Sequence, residues 1–152
     1  MTSPTPYERN YTAEQTRLAE HLIDLEKGAL DKWFNGDVSG YREIWSRTSF
    51  TYFDGDNPKR VEDHDTIDQF LDALDGKLHA DVYELHSPRI QFGIDMALLT
   101  FQLFADTNLI DMKYNCVELY QREKDDQWRV IHSTWSFIRP MDMDFTSVKE
   151  IV

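Results

Sequence analysis

The sequence has one cysteine, few basic residues and no long apolar run, and each shortage excludes a class of protein. Cys116 stands alone, so one chain cannot form a disulfide framework or a cysteine-rich metal site. The 16 basic residues against 28 acidic ones give a formal net charge of -12, which repels nucleic acids and anionic membranes. No segment approaches the roughly 20 apolar residues of a membrane span, and the N-terminus lacks the pattern of a secretory signal. We therefore expect a cytoplasmic protein with no nucleic-acid or membrane partner.

The length of the chain predicts a single domain. With 152 residues, 41% of them hydrophobic, one sizeable core can be buried, but two independent cores are not expected. We place the domain at residues 12–138, between a flexible N-terminal arm at residues 1–11 and a C-terminal extension at residues 139–152. The sequence shows no internal repeat and no low-complexity tract.

The start of this domain has the period of helices. Thr12 and Gln15 form a capping-box pattern, and apolar residues then recur every three or four positions up to Trp33. Asn35-Gly36 predicts the end of this helix. A shorter helix follows, and we expect Ser39 to cap it.

The period then changes to two, which predicts strands. Short polar links between the apolar runs favour antiparallel hairpins over crossover connections. Pro88 cannot donate to a sheet ladder, so we expect a bulge or bend there and a curved sheet. The remaining predicted elements are a third helix over 65–74, a short strand over 49–53, and long strands over 80–92, 96–106, 112–122 and 128–138.

The last two predicted strands can be paired by counting outward from their loop. A four-residue loop at 123–126 places Glu118 opposite Ile131 and Tyr114 opposite Trp135. We expect these residues to share the face that lies under the first helix. A loop of odd length would shift the register by one residue and scramble the face assignment.

The opposite face of this hairpin also carries apolar residues. Three helices can cover only one face of a sheet of five or six strands, so a second covering layer is needed. We expect a homodimer to supply it, and the alternative is a monomer partly covered by the C-terminal extension. The predicted interface residues are Val117, Leu119, Val130, His132 and Thr134.

The order helix, helix, strand, helix and long antiparallel meander resembles the nuclear transport factor 2-like superfamily. Asn35-Gly36-Asp37 and the segment Phe50 to Gly55 are similar to polyketide-cyclase-like (SnoaL-like) members. Ser87 to Ile90 and Trp128 to Ser136 are similar to strands of the association domain of calcium/calmodulin-dependent kinase II. The match covers about residues 12–138. It implies a cone-shaped, cystatin-like α+β fold, with about three N-terminal helices on a curved, mainly antiparallel sheet.

The resemblance also implies a small-molecule pocket between the helices and the concave sheet. It implies no particular activity, because the superfamily includes isomerases, dehydratases, epoxide hydrolases, cyclases and plain oligomerisation modules. In the association domain, arginines of the pocket occupy the places that match Glu118 and Trp135, which argues against a similar anionic ligand here. Relatives often carry a histidine where this chain has Thr134.

Glu118 is the candidate catalytic residue. A carboxyl group in a pocket lined by aromatic rings has a raised pKa, which suits proton transfer in a cofactor-independent lyase or isomerase. The ordinary alternative is a glutamate that is solvated or paired with an arginine. We expect a small apolar or aromatic metabolite with a polar group as ligand, although aromatic residues in these positions are also typical of a core. The predicted ligand-binding residues are Trp33, Tyr41, Tyr52, Phe101, Tyr114, Ser133 and Trp135.

No metal and no cofactor is expected. An EF-hand loop begun at Asp54 would have Lys59 where glycine is required. His132 and Ser133 cannot act together as base and nucleophile, because adjacent side chains of a strand point to opposite faces. The alternative to a ligand-binding or catalytic pocket is a non-catalytic module for homodimerisation or partner binding.

Overall fold

The computed structural model describes residues 8–54, 58–109 and 111–138. Over these residues the chain is an α+β protein in which three α-helices pack on a five-stranded mixed sheet. None of the described helices is both long and apolar enough to cross a membrane. The predicted extension at 139–152 lies outside the described residues. The elements in chain order are α1 (Ala13–Trp33), α2 (Ser39–Ile44), β1 (Thr51–Phe53), α3 (His64–Leu74), β2 (Tyr83–Gly93), β3 (Met96–Asp106), β4 (Asp111–Arg122) and β5 (Trp128–Phe137).

α1 begins and ends where the sequence pattern predicts. Thr12 Oγ1 accepts a hydrogen bond from the Gln15 backbone N–H, and Gln15 Oε1 accepts one from the Thr12 backbone N–H. After the helix, Gly36 has a φ of 80°, the left-handed conformation that glycine adopts without strain. The buried residues of α1 are Ala19, Leu22, Glu26, Ala29 and Leu30.

Two local features near the helices differ from the prediction. Ser39 is the first residue of α2 rather than its cap, and its backbone N–H donates to Asp37 Oδ1 over 2.9 Å. The end of the predicted flexible arm is structured, because residues 8–10 form a short 3-10 helix and Tyr11 packs edge-on against Phe92.

The strands of the sheet lie in the order β1-β5-β4-β3-β2. β1 runs parallel to β5, and the other three neighbouring pairs are antiparallel. The parallel pairing was not predicted, because β1 is a three-residue strand far from β5 in the chain, with no hairpin link to identify its partner. The register of β2 shifts between His86 and Arg89, and Ser87 has a φ of 54°, which confirms the bulge predicted at Pro88.

The register of the β4–β5 hairpin departs from our count twice. Arg122 pairs with Trp128, so the loop spans 123–127 rather than 123–126, and an unpaired Ile131 then shifts the register by one more residue. Two shifts of one residue restore the predicted faces beyond the bulge, where Glu118 pairs with Ser133.

Between the loop and the bulge only the first of these shifts applies. The β5 residues in this stretch therefore lie on the face opposite to the predicted one. Val130, which we predicted on the outer face, pairs with Tyr120 on the inner face and is completely buried. It therefore belongs to the core and cannot contribute to an interface on the outer face.

The inner face of the sheet packs under the helices and forms one wall of the core. Alternate residues of β3, from Ala97 to Ala105, are buried on this face, whereas their neighbours Leu98 and Thr100 on the outer face are partly exposed. Cys116, Glu118 and Tyr120 are the corresponding buried residues of β4. This alternation places the polar groups of the inner face beneath α1 and α2.

The close approach of α2 to α1 requires glycine at position 40. A Cβ atom there would lie 2.8 Å from the backbone Cα of Ala29. Because a backbone neighbour cannot rotate away, we expect Gly40→Ala to lower the free energy of unfolding by about 1–3 kcal/mol.

Gly28→Ala is the matched control, because no atom lies within 4 Å of a Cβ built at that position. The higher helix propensity of alanine should raise the free energy of unfolding by about 0.5–1 kcal/mol. Urea unfolding measures both variants. A Gly40→Ala protein as stable as Gly28→Ala would contradict the tight packing of the two helices.

Candidate functional site

Two glutamates lie buried between α1 and the sheet. Glu26 is on the buried side of α1, Glu118 is on the inner face of β4, and each side chain has 0% of its surface exposed. The charge of Glu26 raises the pKa of Glu118, so the two carboxyl groups belong to one electrostatic site. We refer to Glu26 and Glu118 as the carboxyl pair.

Tyr41 of α2 makes the direct hydrogen bond to the carboxyl pair. Its hydroxyl donates to Glu26 Oε1 over 2.9 Å. Within the described part of the chain, Glu26 Oε2, both oxygens of Glu118 and the Tyr120 hydroxyl make no hydrogen bond. Buried polar atoms without a partner are rare and costly in native proteins, which makes this cluster a candidate functional site.

Burial determines the protonation of the carboxyl pair. Desolvation raises the pKa of Glu26 to about 7, although the nearby hydroxyls of Tyr41 and Tyr120 partly oppose the rise. Desolvation and then the charge of Glu26 raise the pKa of Glu118 well above its ordinary value, and the Ser133 hydroxyl, which lies near without reaching hydrogen-bond geometry, offsets little of this. Two such groups titrate together, so the pair keeps at least one proton at neutral pH.

The other titratable groups around the carboxyl pair remain protonated. Burial raises the pKa values of the Tyr41 and Tyr120 hydroxyls and of the Cys116 thiol, and both glutamates add to each rise. Cys116 is therefore a neutral thiol in the core rather than a reactive thiolate. Of these buried groups, the carboxyl pair is therefore the one that can exchange a proton in the neutral pH range.

An aromatic cavity of about 240 Å³ adjoins the carboxyl pair, between the three helices and strands β1, β4 and β5. Tyr41 lines this cavity and also bonds Glu26, so it connects the two features. Leu109, which is 59% exposed, lies at the edge where the cavity reaches the surface. The lining residues among those described are Trp33, Tyr41, Trp45, Tyr52, Asp54, Phe70, Leu74, Leu78, Leu109, Met112, Tyr114 and Trp135.

The aromatic rings of the lining contact one another in series. Trp33 and Tyr41 meet edge-on, with ring centroids 5.3 Å apart, and Tyr41 meets Trp135 edge-on at 6.3 Å. The remaining contacts in the series are Tyr114 to Trp135 at 5.8 Å, Tyr41 to Trp45 at 5.4 Å, Trp45 to Tyr52 at 5.7 Å and Tyr52 to Phe70 at 5.6 Å. Each ring supports the next, which gives the cavity firm walls.

Asp54 is the one charged residue that lines the cavity in the described structure. Its charge and a side-chain hydrogen bond raise the pKa of Tyr52 further, in addition to the larger effect of desolvation. Among the described residues, no group of three metal-ligating side chains converges on one point. The polar groups of the cavity wall are one carboxylate, the tyrosine hydroxyls and the tryptophan N–H groups.

Most of the predicted ligand-binding residues lie in the cavity wall: Trp33, Tyr41, Tyr52, Tyr114 and Trp135. Phe101 and Ser133 are instead fully packed in the core behind Trp135. The Phe101 ring meets the Trp135 ring edge-on at 6.2 Å, and Ser133 Oγ accepts a hydrogen bond of 2.9 Å from Trp135 Nε1. Glu118, the candidate catalytic residue, is likewise buried behind the wall rather than in it.

Glu26 and Asp54 are the site residues that sequence reasoning missed. Glu26 lies four positions after Leu22 and four before Leu30, on the apolar side of α1, and this spacing was the available signal. Asp54 lies just after β1, and only the tertiary fold brings it to the cavity. Trp45 and Phe70 also line the cavity, and both pack in or against the hydrophobic core.

The predicted interface residues other than Val130 lie on the outer face. Val117 pairs with Thr134 and Leu119 with His132, and all four are partly exposed. His132 is held on both ring nitrogens, by Thr51 Oγ1 at 2.7 Å and by Thr134 Oγ1 at 2.6 Å. Burial lowers its pKa.

Solved structures of similar fold include a candidate ketosteroid isomerase from Parabacteroides distasonis. It is 26% identical over 87% of this chain and 96% of that chain, with a TM-score of 0.72. A nuclear transport factor 2-like protein of unknown function from Pseudomonas putida is 17% identical over 84% of this chain and 91% of that one, with a TM-score of 0.69. The hub of a calcium/calmodulin-dependent kinase II from S. rosetta is 15% identical over 89% and 98%, with a TM-score of 0.60. No protein-family model and no curated protein matches the chain.

The carboxyl pair should make stability fall as the pH rises. A carboxyl group whose pKa in the folded chain exceeds its ordinary value of 4.5 holds a proton that the unfolded chain has released. Its contribution is fully present below pH 4.5 and is lost as the pH rises through the folded-state pKa. For Glu26 this contribution is lost between pH 4.5 and about pH 7. The free energy of unfolding then falls by at most about 1.4 kcal/mol per pH unit.

Glu26→Gln tests this dependence, because glutamine keeps an acceptor for Tyr41 but cannot titrate. We expect the variant to lose less unfolding free energy than the wild type between about pH 5 and pH 7, as measured by urea unfolding. Glu20→Gln, at an exposed position of α1, should keep the wild-type slope. A wild-type slope in Glu26→Gln would mean that Glu26 ionises normally in the folded chain.

Proposed function

We propose that this chain, which belongs to the nuclear transport factor 2-like superfamily, binds a small molecule in the aromatic cavity and transfers a proton to or from it. The activity would be that of a cofactor-independent isomerase or lyase. One observation carries the proposal: Tyr41 lines the cavity and donates a hydrogen bond to Glu26 of the carboxyl pair. The cavity thereby has a connection to a group that can exchange a proton near neutral pH.

The composition of the cavity supports a small organic ligand. Its wall is mostly aromatic and aliphatic, with a few polar groups supplied by tyrosines and Asp54. Small-molecule sites commonly combine such an apolar wall with a few polar groups that fix orientation. The likeness to a candidate ketosteroid isomerase, at 26% identity, supports isomerase chemistry on this fold.

In the proposed step Tyr41 touches the substrate and the carboxyl pair stores the proton. As a C–H bond of the substrate breaks, its electron pair stays on the substrate and its proton moves to the Tyr41 oxygen. Tyr41 passes its own proton to the ionised Glu26 through the existing hydrogen bond. Return of a proton at another carbon completes an isomerisation, and departure of a leaving group completes an elimination.

Glu118 has a supporting role in this scheme. It is completely buried and absent from the cavity wall, so it would act through its neighbours rather than touch the substrate. Because its pKa is raised well above the ordinary range, it stays neutral while Glu26 gains and loses a proton. A neutral Glu118 limits the pair to one charge, which keeps the core stable during the exchange.

Tyr41→Phe and Glu118→Gln test the proposed proton transfer. Incubation in D2O with a panel of small β,γ-unsaturated ketones, with and without amino groups, would reveal exchange or migration of carbon-bound hydrogen by NMR. We expect Tyr41→Phe to slow the reaction by at least about 100-fold, the usual contribution of a general acid–base group, with little change in ligand affinity. Glu118→Gln should keep nearly the wild-type pH profile, because a neutral amide replaces a carboxyl group that stays neutral during the reaction.

Glu20→Gln serves again as the control and should react like the wild type. Full activity in Tyr41→Phe, or a shifted pH profile in Glu118→Gln, would contradict the scheme. Binding without any exchange across the panel would assign the cavity to ligand binding alone.

A second candidate function is self-association through the outer face of the sheet. An outer band of partly exposed residues crosses β3, β4 and β5, and the exposed Phe53 of β1 continues it beside Thr134. Apolar surface on a face that the helices do not cover supports a homodimer. The similarity to a kinase hub supports the same proposal. The residues of the outer band are Leu98, Thr100, Val117, Leu119, His132 and Thr134.

Charge substitution in the outer band tests self-association. We expect the wild type to sediment as a dimer and Val117→Lys or Leu119→Asp to sediment as monomers, because a buried unpaired charge would oppose association. Ile94→Asp is the matched control, since Ile94 is an apolar residue in the β2–β3 turn, 93% exposed and outside the band. Analytical ultracentrifugation measures the association state of each variant. A monomeric wild type, or a dimeric Val117→Lys, would refute this interface.

A further inference from the structure

All the charged groups associated with the aromatic cavity in the described structure are acidic. Asp54 lines the cavity, and Tyr41 connects it to Glu26. No described lysine, arginine or histidine lines the cavity. A negatively charged ligand would be repelled at this site, and a positively charged one would be attracted.

The lining rings add an attraction for positive charge. Aromatic faces carry negative electrostatic potential, and several of them around one point form the usual binding site for quaternary and methylated ammonium groups. Here Tyr41 meets Trp33 at 86° and Trp135 at 82°, and Tyr114 meets Trp135 at 81°. Rings at right angles enclose a volume from more than one side, as such a site requires.

The rest of the cavity wall favours an organic cation over a small inorganic one. This part of the wall is aliphatic, with Leu74, Leu78 and Met112. A small strongly hydrated ion would gain little from such a wall, because it would lose its hydration shell without enough oxygen ligands in return. An organic cation with an apolar body loses less hydration and fills the aliphatic part of the cavity.

We infer that the cavity takes an organic cation, an amine whose ammonium group lies among the aromatic rings near Asp54 and whose apolar body contacts the aliphatic wall. The inference rests on the proposed small-molecule function of the same cavity and names its substrate class. It also narrows the earlier expectation of an apolar or aromatic metabolite with a polar group. A neutral molecule of the same shape would make the same apolar contacts but gain nothing from Asp54 or from the ring potentials.

Three probes of nearly one shape separate the effect of charge from the effect of shape. Choline carries the cation, 3,3-dimethylbutan-1-ol is its uncharged analogue, and 3,3-dimethylbutanoate is an anionic analogue. Three of the four tryptophans, Trp33, Trp45 and Trp135, line the cavity, so tryptophan fluorescence reports binding in the wild-type protein, with calorimetry as a second measurement. We expect choline to bind at least about tenfold more tightly than the alcohol, and the anion to bind most weakly.

Asp54→Asn examines the carboxylate while keeping the size of the side chain. It should weaken choline binding several-fold and leave the affinity for the alcohol unchanged. Asp126→Asn is the control, because it removes the same charge at an exposed turn position with a φ of 63°, a conformation that asparagine tolerates. It should bind both probes like the wild type.

The binding results distinguish the cation inference from the proposed small-molecule function on which it rests. An alcohol that binds as tightly as choline, or choline binding that is equal in Asp54→Asn and the wild type, would overturn the cation inference while leaving a small-molecule cavity. Failure of all three probes to bind would overturn the inference together with the small-molecule function of the cavity.

Discussion

Glu26 and Glu118 are both fully buried and interact electrostatically in a core that otherwise consists almost entirely of apolar groups, and this arrangement costs stability. The cost is limited because at least one of the two carboxyl groups stays neutral, and because Tyr41 donates a hydrogen bond to the other. Apolar residues of the same volume would avoid this desolvation cost. Local conflicts of this kind are concentrated at functional sites in proteins, which is why the account of function begins from this pair.

The surrounding fold holds that pair and the cavity in a fixed relation. α1 supplies Glu26, β4 supplies Glu118, and the close approach of α2 to α1 at Gly40 brings the next residue, Tyr41, to Glu26. The bulge at Ile131 has an equally direct effect, because it returns Ser133 and Trp135 to the inner face after the hairpin loop has shifted the register. A small number of backbone features thus determine which side chains surround the carboxyl pair.

Much of the fold could be predicted, because its signals are local. The capping box at Thr12 and the alternation along β3 depend on neighbouring residues, and the superfamily recognised from the order of elements agrees with the solved structures. The parallel pairing of β1 with β5 could not be predicted, since it joins segments far apart in the chain. The length of the β4–β5 loop could not be predicted either, because the polar run there does not mark where pairing begins. We placed Val130 on the wrong face because the loop is one residue longer than we counted. Within the site, aromatic residues were predictable as a class, whereas Asp54 reaches the cavity only through the tertiary fold.

The function proposed for this protein depends on an exchangeable proton that the carboxyl pair holds in the neutral pH range. NMR titration of the glutamate side-chain carboxyl carbons tests it most directly, with Glu26→Gln to assign the signal. We expect one carboxyl signal that titrates near pH 7 in the wild type and is absent from the variant, and a second that is still protonated at that pH. Ionisation of every glutamate near the ordinary pKa of 4.5 would show that the pair holds no such proton.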